Sequence, residues 1–142
     1  MAVPDLESRV AVANHCRITF GSLKTVNNGW LSFTPDGMGI EAHADLRHPE
    51  TRRIRASGRC LRHPDVLVCR VVGRGKVGDF AAIEIDGSIH ARRSERTQRR
   101  DDEYAAMGVP LLVLPDDEVA GDGNWRDTVD RFVADAFPEV LK

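Results

Sequence analysis

No run of apolar residues in the 142-residue sequence approaches the roughly 18 that a membrane-spanning helix needs, which argues against a transmembrane role. The opening Met1-Ala2-Val3-Pro4-Asp5 shows neither the basic nor the apolar region of a secretory signal, so the expected location is the cytoplasm. Cysteine is scarce. Cys16, Cys60 and Cys69 are odd in number and lack CxxC spacing, so neither a disulfide framework nor a structural zinc site is indicated, and reduced, mostly buried thiols are the expectation. There is no internal repeat and no low-complexity tract. A phosphate-cradling glycine loop leading into a helix is missing, as is any nucleophile motif, and this leaves a small-molecule enzyme with little support. Gly73-x-Gly75-x-x-Gly78 matches a dinucleotide fingerprint in form, yet strand-like segments flank it on both sides, and turn glycines explain it better.

With 42% apolar residues the chain is long enough for one core, and a single domain over residues 1–142 is expected. The formal net charge of −2 hides a strong segregation. Arg47, Arg52, Arg53, Arg55, Arg59 and Arg62 form one basic segment, and Arg92, Arg93, Arg96, Arg99 and Arg100 form another. The stretch from Asp116 to Glu139 is acidic. If the arginine segments meet on one face, that face would suit a phosphate backbone; the plainer reading is two solvated charged surfaces.

Leu6 to Cys16 fits an amphipathic helix with Leu6, Val10 and Ala13 on one face, although the alternation of Val10 and Val12 suits a strand almost as well. Trp30 to Thr34 and Met38 to Ala44 alternate apolar and polar residues around Pro35-Asp36-Gly37, the pattern of a hairpin. Arg47 to Arg62 reads as a loop or irregular strand. Val66 to Val72 is a β-branched run, Gly73 to Asp79 a glycine-rich turn, and Phe80 to Asp86 a second strand. Ser94 is placed to cap a helix running through Met107, with Gly108 as its left-handed terminator. Val109 to Leu114 is an apolar strand, expected to be covered on both faces. Trp125, Val129, Phe132, Val133 and Phe137 follow Asn124 at helical spacing.

Residues two apart on a strand share a face, so Glu84 and Asp86 project together. Two carboxylates in one small volume repel unless a cation neutralises them, and carboxylate oxygens are the hard ligands that Mg²⁺ or Mn²⁺ prefers. Asp65 opens the preceding strand. A fold-back around Gly75 to Val77 would set it opposite Asp86 as a third ligand, whereas Asp79 would lie in the turn, at the far end. Such carboxylates beside arginines are equipment for phosphodiester hydrolysis, with His90 as general base or phosphate contact and Arg100 offsetting charge in the transition state. Each element also has a plainer reading: a solvated strand end, a turn, a surface histidine, a helix arginine paired with Asp101 or Glu103.

Ala82-Ile83-Glu84-Ile85-Asp86-Gly87-Ser88-Ile89-His90, followed by Arg100 to Leu114, resembles the small domains related to the very-short-patch-repair endonuclease, within the PD-(D/E)XK nuclease superfamily. The similarity lies in an apolar strand ending in Glu-x-Asp-Gly, a histidine, a helix with an arginine eight residues before a glycine, and an apolar strand. It covers the chain from Pro64 onward. The resemblance implies a restriction-endonuclease-like α/β fold, a mixed sheet flanked by helices, with residues 64–142 as nuclease core and 1–63 as a divergent N-terminal part carrying the hairpin. It implies a Mg²⁺-dependent (or Mn²⁺-dependent) DNA endonuclease or nickase of restriction, repair or mobile-element type, with metal on Asp65, Glu84 and Asp86. His90 and Arg100 would assist catalysis. Arg52, Arg53, Arg55, Arg59, Arg62, Arg92, Arg93, Arg96 and Arg99 would hold DNA phosphates, and a double-strand cut would call for a homodimer. Pro64-Asp65 would be the family's PD pair. Asp86 stands where the superfamily usually has a lysine, and Thr97 where relatives often have an acid. The rival expectation is therefore a non-catalytic nucleic-acid- or protein-binding module on a degenerate nuclease fold. Glu7 would add an acidic ligand if its helix packs under the sheet.

Overall fold

The structure is a computed structural model and describes residues 6–27, 29–33, 40–43, 60–72, 76–86, 95–121 and 123–138. In chain order the elements are helix α1 (Leu6–Thr19), strands β1 (Lys24–Asn27), β2 (Trp30–Phe33), β3 (Ile40–His43), β4 (Cys60–Arg62), β5 (Val66–Val72) and β6 (Lys76–Asp86), helix α2 (Glu95–Met107), strand β7 (Leu111–Pro115), and helices α3 (Asp116–Ala120) and α4 (Trp125–Ala136). A mixed four-stranded sheet, ordered β1-β5-β6-β7, carries an antiparallel β5–β6 pair and a parallel β6–β7 pair. A three-stranded antiparallel sheet, ordered β3-β2-β4, lies beside it. The architecture is α/β. Among the described residues no helix is long and apolar enough to cross a membrane.

Strand alternation divides the core into two layers. Val66, Val68, Ala81, Ile83, Ile85 and Leu114 face one side, against Val12, Ala13 and Cys16 of α1 and Trp125, Val129 and Val133 of α4. Leu67, Cys69 and Ala82 face the other side, against Leu31 and Phe33 of β2 and Tyr104 and Met107 of α2. The acidic α3 and α4 thus cover one face, while α2 covers the opposite one.

α1 resolves the choice between helix and strand, and its buried stripe differs from the expected one. Ser8, Val12, Ala13 and Cys16 are buried, whereas Val10 is exposed, because the helix continues to Thr19 and turns its Val12-Cys16-Phe20 row onto the sheet. The hairpin of β2 and β3 forms with Trp30 opposite His43 and Phe33 opposite Ile40. β1 has no counterpart in the sequence reading. Its Lys-Thr-Val-Asn has little strand character, and it is a strand through pairing with β5.

β6 begins at Lys76, so the chain reverses between Val72 and Lys76 and not around Gly75 to Val77. Asp79 therefore lies on the strand, ion-paired with Arg70, its neighbour across β5. α2 ends as its glycine predicts. Gly108 has φ +70°, its N–H reaches Ala105 O at 3.0 Å, and the Val109 N–H reaches Tyr104 O at 3.1 Å, the two bonds of a Schellman motif. Ser94 lies outside the described residues. β7 is an edge strand; Leu112 and Leu114 join one core layer and Leu111 the other, and Leu111, Leu112 and Val113 remain half-buried.

Candidate functional site

The chemistry-bearing residues collect at one end of the large sheet, where β5 begins and β6 ends. Glu84 and Asp86 share a face of β6 with the buried Ala82. The β5–β6 register pairs Val66 with Ile83, and one further step sets Asp65 opposite Glu84 and not opposite Asp86. The earlier chain reversal and a register shift between Arg70 and Val71 account for the difference. Asp65 Oδ2 accepts the Ile85 N–H at 2.7 Å, which ties the β5 entry to β6.

Two arginines meet these carboxylates from opposite faces of the sheet. Arg9 of α1 stands with Nε 3.5 Å from Asp65 Oδ1. Arg100 of α2 donates from Nη1 to Glu84 Oε1 at 3.3 Å and from Nε to Asp101 Oδ1 at 3.2 Å. One turn further along α2, the buried Tyr104 hydroxyl lies beside Glu84 and favours its ionised carboxylate.

Burial raises the carboxyl pKa of Glu84, Arg100 opposes the rise, and the Asp65 charge adds to it. Burial likewise raises Asp65, the Ile85 N–H and Arg9 oppose it, and Asp86 adds to it. The Tyr104 hydroxyl is also pushed up, first by burial and then by the Glu84 charge. Glu84 thus feels the Asp65 charge and Tyr104 the Glu84 charge, and Asp65 and Glu84 keep arginine partners that offset only part of the burial cost.

The basic segments come together in part. Arg62 of β4 pairs with Glu103 of α2, its Nε 2.5 Å from Oε1, so a member of the first segment rests on the helix that bears the second. Arg99 is exposed on α2, beside a shallow groove lined by Gln98, Arg99, Asp102, Glu103 and Ala106. Arg96 belongs to α2 as well. His90, Arg52, Arg53, Arg55, Arg59, Arg92 and Arg93 lie outside the described residues. Glu7 is exposed on α1.

Arg9 and Tyr104 were not legible as site residues. Tyr104 had a usable signal in its spacing, four residues after Arg100 on one helix face. Arg9 had none, since only packing of α1 against the sheet brings it to Asp65. Among the described residues no three His, Cys, Asp or Glu side chains gather closely enough to hold an ion. The chain matches no protein-family model, no curated protein and no solved structure.

Proposed function

We propose that the chain is a metal-dependent DNA endonuclease or nickase on a restriction-endonuclease-like fold. The observation that carries this reading is the burial of Asp65 and Glu84, which repel each other at the end of the β5–β6 pair with Asp86 nearby. Carboxylates perturbed in this way cluster at functional sites. In kind the donors are the carboxylate oxygens that a hard divalent cation prefers, although in the arrangement described they do not gather into an ion site. Asp65, Glu84 and Asp86 would hold Mg²⁺ or Mn²⁺, which when bound makes a water more acidic and compensates charge on a phosphate.

The protein's own groups supply the rest. Arg100 stabilises negative charge on the scissile phosphate, Arg99 and the neighbouring arginines of α2 hold the backbone, and His90 accepts a proton or contacts the phosphate. The pattern of strand, helix with arginine, left-handed glycine and strand supports the kinship with PD-(D/E)XK nucleases. Cutting both strands from so small a unit would use a homodimer. Purified protein is expected to nick supercoiled DNA with Mg²⁺ or Mn²⁺, and Glu84→Ala or Asp86→Ala to abolish nicking; persistent cleavage by both variants would remove the site assignment.

A second reading is a non-catalytic nucleic-acid- or protein-binding module. The arginine partners of Asp65 and Glu84, which already neutralise them in part, favour it, as does Asp86 in the place of a lysine. Calorimetric titration separates the two: no heat of binding at millimolar Mn²⁺ selects the module.

A further inference from the structure

Among the described strands β7 has a single neighbour, β6, and closes one side of the large sheet. The register of Ala82 with Leu111, together with the Ala82 N–H donating to Pro110 O at 2.9 Å, fixes which groups of β7 point inward. Leu112 and Leu114 turn their N–H groups toward β6. Leu111 and Val113 turn theirs outward with their C=O groups, and these meet no backbone partner among the described residues. Edge strands are commonly shielded by a charged residue. β1 contains Lys24, β3 Glu41 and β4 Arg62, whereas β7 carries no charge, and its Leu111, Leu112 and Val113 are only half-buried. Pro110 precedes the strand and Pro115 ends it, which confines pairing to the segment between them.

The outward groups are symmetric about Leu112. An antiparallel copy of β7 across a twofold axis at Leu112 pairs Leu111 with Val113 of the second copy, and the reverse, so every outward N–H and C=O of the two residues is satisfied. Leu112 then meets its own counterpart. A charged residue there would face itself, and an apolar one meets no such repulsion. A charged peptide finds no complementary charge on this edge. We propose that β7 is a dimerisation edge, through which two copies of the chain join their large sheets by antiparallel pairing of Leu111 with Val113. The twofold axis stands perpendicular to the sheet, so the α2 faces of both copies lie on one side, with the two Glu84 residues on the order of 15 Å apart by strand spacing and rise. The pairing does not rest on cleavage chemistry. Its contact is smaller than a standard interface, and a dissociation constant on the order of 100 µM is expected.

The test is sedimentation equilibrium of the full chain from about 10 µM to about 1 mM, with amide exchange followed by NMR at both ends of that range. Wild type is expected to pass from monomer to dimer. The Leu111 and Val113 amides should exchange about fivefold more slowly at the higher concentration, while those of Leu112 and Leu114 stay slow throughout. Val113→Pro removes an outward N–H and no bond to β6, and is expected to weaken association about thirtyfold through the hydrogen bonds lost from both copies. A chain still monomeric at about 1 mM overturns the proposal, as does a folded Val113→Pro that dimerises like wild type. Exchange at Leu111 and Val113 that ignores concentration overturns it too, and this measurement on wild type decides the matter if the proline variant does not fold.

Discussion

Burial dominates the electrostatics of Glu84, and its carboxyl pKa lies above the ordinary value of 4.5 despite Arg100. An acid whose pKa is raised by folding binds its proton more tightly in the folded state, so its ionised form costs stability. The cost is absent below the ordinary carboxylate range and complete once pH exceeds the raised value. Glu84→Gln is therefore expected to unfold at higher denaturant than wild type at pH 7 to 8 and to lose that advantage toward pH 4. A variant less stable than wild type at pH 8 would show that Arg100 outweighs the burial. Burial also pushes the Cys16 thiol to about 12 and the Cys69 thiol to about 11. Neither is expected to react with iodoacetamide at pH 8 in the native protein, and both should react after unfolding, as mass spectrometry would record. That Glu84 and Asp86 share a face was readable from their spacing of two. That Asp65 stands opposite Glu84 was not, since one residue of difference in the chain reversal moves every partner across the strand pair.

At the scale of elements, the termination of α2 is the clearest case of local chemistry deciding structure. Gly108 adopts φ +70° with open space where a Cβ would stand. Gly108→Ala meets no clash and still carries left-handed strain, so it is expected to lower stability by about 1 kcal/mol in denaturant titrations. An unchanged midpoint would mean that the helix end relaxes at no cost. α4 was equally legible, because Trp125, Val129, Val133 and Phe137 recur at helical spacing and all become buried. α1 was half legible. Its apolar residues permit more than one face, and the sheet selected Val12 and Cys16 while leaving Val10 and Ile18 exposed. β1 was invisible, for four polar-leaning residues become a strand only when β5 offers hydrogen bonds.

For the whole molecule, the second core layer joins the two sheets to α2 and so positions the helix that carries Arg100. Leu31, fully buried, stands between β2 and that layer. Leu31→Ala is expected to cost about 3 kcal/mol, with faster amide exchange in β2 and β4 than in β5 and β6. Equal acceleration throughout would indicate one cooperative unit. The same layering separates charge: acidic α3 and α4 pack on one face of the large sheet, while α2 packs on the other. The sequence by itself determined the strands and helices whose period or terminating glycine is local, and it placed Glu84 and Asp86 together, because these properties follow from neighbouring residues. Only the tertiary structure decided the register of Asp65, the edge position of β7, and the arginines that meet the two acids. Those depend on where the chain reverses and on which faces pack, and no local pattern records either.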